Sequence, residues 1–369
     1  MPYERLPDPT LQMMRDHTPL SHFVCQKMGP GRVFHDVVVW RGTFTLEPKP
    51  VIASEQRPVV LADELHEGTV PEASSLREVG DLHLPKPGAD IIVTGTARPF
   101  RERPERRWRC AVEVARGSEL LARLELDATG PRRWEARSLG GIRPSEPEPT
   151  VGVPIRYELA YGGRFRDPAS DPRAPRFLRW AENPSGTGFA PDAAAIAGRP
   201  APQWEHPGQP VSSADPGGPL CGFGPVARHW RSRSRFGGTA DAAWERKLRE
   251  DVSQGLVPDY PADFDARFFH CAHPALRLPA PLAGGETVTL LGMLPDAARF
   301  SFEVPSSHPR VEVLAESGPW QALSPSLDLV HVDLDARRVC LVWRLALRPE
   351  RGVLAAIADL EEPRAQTHR

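Results

Sequence analysis

The sequence predicts a mainly β fold: a β-sandwich or barrel-like core with long ordered Pro/Gly-rich loops and one or two short helices. Three observations support this. Prolines number 42 in 369 residues, about twice the usual share of roughly 5%, and they are not periodic. Proline at that density works against long helices, because it lacks the amide donor and clashes with the preceding turn. Segments rich in β-branched and aromatic residues lie toward both ends, and the best helix candidate is a single stretch near 239–255.

Taken in order, 35–46 carries Val37, Val38, Val39, Trp40, Phe44 and Leu46, a run of strong β-formers. A second strand is expected at 90–96 (DIIVTGT). The segments 110–115 and 119–126 flank Arg116-Gly117-Ser118 and read as a hairpin. Seventeen of the prolines fall between Pro131 and Pro225. Trp134, Tyr157, Tyr161, Trp180, Trp204, Phe223 and Trp230 are interleaved with them, so ordered irregular structure is expected there, since disordered segments are poor in aromatics. The helix opens at Thr239 or Asp241 as a cap and closes at Gly255. From Glu286 the β pattern returns, with a hairpin around Asp335-Ala336. The chain divides into a β-rich part (1–126), a loop-rich motif region with the short helix (127–305) and a C-terminal β extension packed on the same core (306–369). A frayed polar tail is expected after Pro363.

Composition excludes several classes. The 46 Lys+Arg against 48 Asp+Glu leave a formal charge of −2, so there is no global basic footprint for nucleic acid. The five cysteines are scattered, without a CxxC, which fits free thiols in a reducing compartment. No run of 18 apolar residues and no apolar leader occurs, so a cytoplasmic protein without membrane insertion is expected.

Candidate chemistry is sparse. His270, Cys271 and His273, with Cys221 or His229, could make a metal site, but their spacing matches no common zinc knuckle. Asp263 and Asp265 form a DxD pair, more readily explained as a turn cap or as partners of arginine. Gly222-Phe223-Gly224 lacks the third glycine of a dinucleotide loop, and Pro225 stands where its helix would open. Tyr157 and Glu158 could pair as acid and base. Two basic runs with tryptophan, 98–109 and 228–235, read as solvated faces or protein contacts. No catalytic residue, metal site or cofactor is assigned.

The order of motifs carries more information. It runs Ser74-Ser75-Leu76, Asp81-Leu82, Lys86-Pro87 with Asp90, Arg133-Trp134, then Tyr157-Glu158 with Gly162-Gly163. It continues through Asn183 to Phe189, Gly222-Phe223-Gly224-Pro225 with Trp230, Gly238-Thr239-Ala240-Asp241 with Trp244, 261–268, Gly284-Gly285-Glu286 and Val342-Trp343-Arg344. Over about residues 17–345 this resembles a family encoded beside bacterial type VI secretion spike proteins and toxins. Ala240, Gln203 and Ser232 depart from that family's usual residues.

The resemblance implies a non-enzymatic adaptor or chaperone that binds an effector toxin in the cytosol and helps load it onto a VgrG or PAAR spike. The alternative from the residues is a metal-dependent hydrolase or transferase using Asp263, Asp265, His270 and His273; a carbohydrate-binding module using exposed Trp is a third. For the adaptor, Trp180, Trp204, Trp230, Arg231, Arg233 and Arg235 are expected to contact the partner, since aromatic and Arg anchors dominate interfaces. Asp81, Lys86, Asp90, Trp134, Tyr157, Glu158, Asn183, Gly222, Gly224, Asp241, Trp244, Asp263 and Asp265 are expected to lock the loops.

Overall fold

The computed structural model describes residues 13–66, 74–137, 141–191, 194–212, 218–315, 318–348 and 353–361. The tail expected to fray lies outside them. The fold is mainly β and sandwich-like, and the described residues form no closed barrel.

A six-stranded sheet holds the middle of the molecule. Its order is Arg277–Leu278, Ala89–Thr94, Ser326–Asp333, Arg338–Leu347, Phe34–Thr45 and Ser21–Met28. Only the pairing of Ala89–Thr94 with Ser326–Asp333 is parallel. The inner strands are covered on both faces. Every residue of Ala89–Thr94 is buried, as are Asp36 to Phe44 in the next-to-edge strand. That burial explains why these strands read as continuous apolar runs rather than alternating ones. Gly42 sits where a Cβ would meet Phe44, Leu20 and the Trp343 ring at 2.9–3.1 Å, so its missing side chain makes room for the two aromatics.

A second, wholly antiparallel sheet has the order Trp204–Glu205, Glu119–Thr129, Arg107–Arg116, Thr287–Leu294 and Ala297–Glu303. Its hairpin turns at Gly117, whose φ of 57° suits glycine, where the sequence places it. Val112, Val114, Leu124, Leu126, Val288 and Leu290 from this sheet share one hydrophobic cluster with Val37, Val39, Ile91, Val93, Leu329 and Leu341 from the first. A third sheet, Met13–Asp16, Val353–Glu361, His308–Ala315 and Trp320–Leu323, joins the two ends of the described chain. Strands from beyond residue 306 thus lie both in this sheet and at the centre of the first.

Between the sheets' strands, the proline-rich stretch forms small two-stranded pieces: Trp134–Ala136 with Ile142–Pro144, Tyr161–Gly162 with Thr187–Gly188, and Arg164–Arg166 with Phe177–Arg179. Two α-helices occur among the described residues, Arg231–Ser234 and Ala242–Ser253. Asp241 caps the longer one by accepting the Trp244 N–H at 2.8 Å, and Gly255 follows it with φ 76°. No helix among the described residues is long and apolar enough to cross a membrane.

Candidate functional site

Beneath the loops, the first sheet encloses a chain of charges. Lys86 Nζ stands 2.8 Å from Asp90 Oδ2, both side chains fully buried. Asp90 also accepts the Cys271 N–H at 2.7 Å and faces His270 Nδ1 at 2.8 Å. Lys86 N–H donates to Asp328, which pairs with Arg344. Arg344 Nε donates to the Asp81 carbonyl at 2.8 Å, and Arg41 pairs with the Asp81 carboxylate at 2.9 Å. From Arg41 the chain passes to Glu78, and Arg57 and His331 also lie against Glu78.

Partners offset burial at several of these groups but not at Asp328, where burial pushes the carboxyl pKa up despite Arg344 and Lys86. Burial alone would raise the Glu78 pKa, yet His331, Arg41 and Arg57 outweigh it and hold the carboxyl at about 2. Burial likewise opposes the charge on Lys86, but its carboxylate neighbours, Asp90 foremost, raise its pKa above that of an ordinary lysine. Asp90 is held well below the usual carboxylate range: burial opposes this, and Lys86 and His270 overcome it. Cys271 is an inert thiol here, since burial first, and Asp90 after it, push its pKa up to about 12.

A second block is built from irregular backbone. Irregular segments leave carbonyls without ladder partners, and buried ones need donors. Side chains supply them. The Tyr157 hydroxyl donates to the Gly224 carbonyl at 3.0 Å, and Asn183 Nδ2 to the carbonyls of Tyr157 and Tyr161 at 2.9 and 3.1 Å. Arg233 donates to Val226 and Phe268 carbonyls at 2.7 and 3.2 Å, and Trp204 Nε1 to Pro154 at 2.9 Å. Glu158 accepts both the N–H and the hydroxyl of Ser75. Gly222 lies flat on the Tyr157 ring, where a Cβ would approach to 2.4 Å. Gly224 lies in the same turn, and the Phe223 carbonyl accepts from Val93 N, stitching Gly-Phe-Gly-Pro to the first sheet. Trp134 is buried in a small separate cluster with Ile142, Ile196 and Ala201.

Three residues expected at the partner surface are internal, and this corrects the sequence reading. Trp204 packs edge-on to Phe223 at 5.7 Å within the main core, and Trp230 edge-on to Tyr157 at 4.9 Å; both are buried. Arg233 is buried with its donors on loop carbonyls. Burying an aromatic side chain stabilises more than displaying it, and a buried guanidinium suits a site with several carbonyls to satisfy. Arg231 and Arg235 are exposed and Trp180 is half-buried.

The residues of the metal-site reading are not brought together. Asp263 accepts the N–H and the hydroxyl of Thr239, both at 2.7 Å. Asp265 caps the turn that follows it and pairs with Arg267. His270 faces Asp90, and His273 Nε2 donates to the Leu220 carbonyl at 2.9 Å. Among the described residues no group of three or more His, Cys, Asp or Glu side chains is placed to hold a metal ion. Beside the capped helix, a cleft of about 500 Å³ is lined by Trp244, Leu248 and Tyr260 with Asp241, Asp259 and Asp263 among its polar residues.

One surface feature was missed by the sequence reading. The hairpin of Arg164–Arg166 and Phe177–Arg179 exposes Phe177 and Leu178 beside several arginines. Its signal was present in RFRDPASDPRAPRFLRW, where five arginines and three prolines alternate with aromatics.

The assembled motifs place the chain among known sequences. Residues 32–344 match the model of a family described as an uncharacterised protein conserved in bacteria (DUF2169). The chain belongs to this family. The match covers the second sheet, both blocks and the first sheet from the Phe34–Thr45 strand to Arg344, and leaves out the Ser21–Met28 edge strand and the Met13–Asp16 and Val353–Glu361 strands of the third sheet. No curated protein and no solved structure matches the chain.

Proposed function

We propose that this DUF2169 protein is a non-enzymatic cytoplasmic adaptor that binds a type VI secretion effector and helps load it onto a VgrG or PAAR spike. The observation that carries the reading is how the motif residues are used. Asp81, Lys86, Asp90, Tyr157 and Asn183 are engaged inside, holding irregular loops to a sheet. A loop surface fixed from below loses little further conformational entropy when a partner binds, which favours recognition. The identity of the cargo rests on the resemblance in motif order. Deleting the gene in its native cell is expected to lower the amount of one toxin in the secreted fraction while the spike is still released. Unchanged toxin secretion contradicts the proposal.

A further inference from the structure

The Arg164–Arg166 and Phe177–Arg179 hairpin stands apart in charge. Residues 164–180 carry five arginines and two aspartates, a formal +3 in a chain whose total is −2. The register determines which side chains share a face. Trp180 N–H donates to Gly163 and Asp167 N–H to Arg176, so Arg164 opposite Arg179 and Arg166 opposite Phe177 are the closely spaced pairs without mutual hydrogen bonds. Phe165 lies on the other face and packs on Phe189 at 5.2 Å between centroids. Arg164, Arg166, Phe177 and Arg179 therefore share the face turned away from it. Arg164 lies over the Phe177 ring, 4.9 Å from its centroid.

Two guanidinium side chains directly opposite in a narrow pair work against the hairpin. Asp167 neutralises Arg176 at 2.6 Å, whereas Arg166, Arg173 and Arg179 have no carboxylate within ion-pair distance among the described residues. Phe177 remains 47% exposed in their midst. The connecting loop is held by Pro168, Pro172 and Pro175 and by Asp167, which accepts the Ala169 N–H at 2.9 Å. The face is thus basic, apolar at its centre and fixed.

We propose that it docks an acidic segment of a partner protein in which carboxylates alternate with apolar side chains. Arginine forks pair with carboxylates through charge-assisted hydrogen bonds, and Phe177 gives the apolar side chains a ring to cover. In this register the N–H and C=O groups of Phe177 and Arg179 point away from the Arg164–Arg166 strand. An extended segment laid along that edge adds as a third strand and presents every second side chain to the face. The paired stretch is three residues long, roughly 10 Å. That length, with backbone N–H and C=O groups free along one edge, suits a short peptide strand better than a nucleic-acid backbone. The partner's place as cargo or spike rests on the adaptor reading; the docking chemistry does not.

The test uses the full chain and a fluorescein-labelled peptide, Glu-Leu-Glu-Phe-Asp-Leu-Glu, with its Gln/Asn counterpart and a short oligothymidylate as comparisons. Fluorescence anisotropy should show the acidic peptide binding about tenfold more tightly than the amide version, and more weakly at high salt. Arg166→Glu combined with Arg179→Glu should weaken binding by about tenfold or more at an unchanged melting temperature, and Phe177→Ala by several-fold. No binding of the acidic peptide, equal binding by the double variant, or preference for the oligonucleotide overturns the proposal. Each of those results leaves the adaptor reading to its own secretion test. Conversely, toxin secretion that survives gene deletion removes the adaptor reading without touching the peptide result.

Discussion

His273 shows how one buried side chain couples this fold to pH. Its Nε2 donates to the Leu220 carbonyl and its Nδ1 accepts the Ala275 N–H, so both ring nitrogens are engaged only in the neutral form. Burial depresses its pKa to about 4. The unfolded chain takes up that proton near the ordinary value of about 6.5, so stability from His273 is present above that pH and is lost as pH falls toward 4. The loss amounts to about 3 kcal/mol when complete. Melting temperature measured across pH 4–7 should fall on the acid side. His273→Gln should flatten that part of the curve, because the amide donates to Leu220 without titrating. An unchanged slope would show that other groups dominate.

The charge chain acts at the scale of elements. Asp90 lies in the Ala89–Thr94 strand, Asp328 and Arg344 in the two strands of one hairpin, Arg41 in the next strand, and Lys86 and Asp81 in the connecting loop. Substituting one member leaves its partner charged and buried. Lys86→Met is expected to destabilise by ~3–5 kcal/mol, read from denaturant unfolding, and Asp90→Asn to show a loss in the same direction. A change under ~1 kcal/mol in Lys86→Met would mean that the pair is not desolvated as described.

Much of this scale was legible in the sequence. The strands near 35–46, 90–96 and 110–126, and the cap at Asp241, follow from local residue patterns that read the same in any context. The network was visible as motif residues but not as a network, because Lys86 and Asp90 reach the Asp328–Arg344 hairpin pair only through a parallel pairing distant in sequence. Trp204 and Trp230 were misplaced for a related reason. In a loop region no periodicity distinguishes the inner face from the outer, so burial there depends on long-range packing.

At the scale of the whole molecule, sheets with a common core carry a block of loops whose polar groups are tied down from within. Tyr157, Asn183, Trp204 and Arg233 are among the side chains that hold this block, and the basic hairpin projects from it. A loop surface of this kind predicts a stable protein partner. The most direct test is affinity purification of the tagged full chain from its native cell, with the co-purifying proteins identified and quantified by mass spectrometry. A toxin or spike protein recovered in near-equal amount is the expected result. A chain that purifies alone under conditions where the secretion system is expressed would contradict the proposed role.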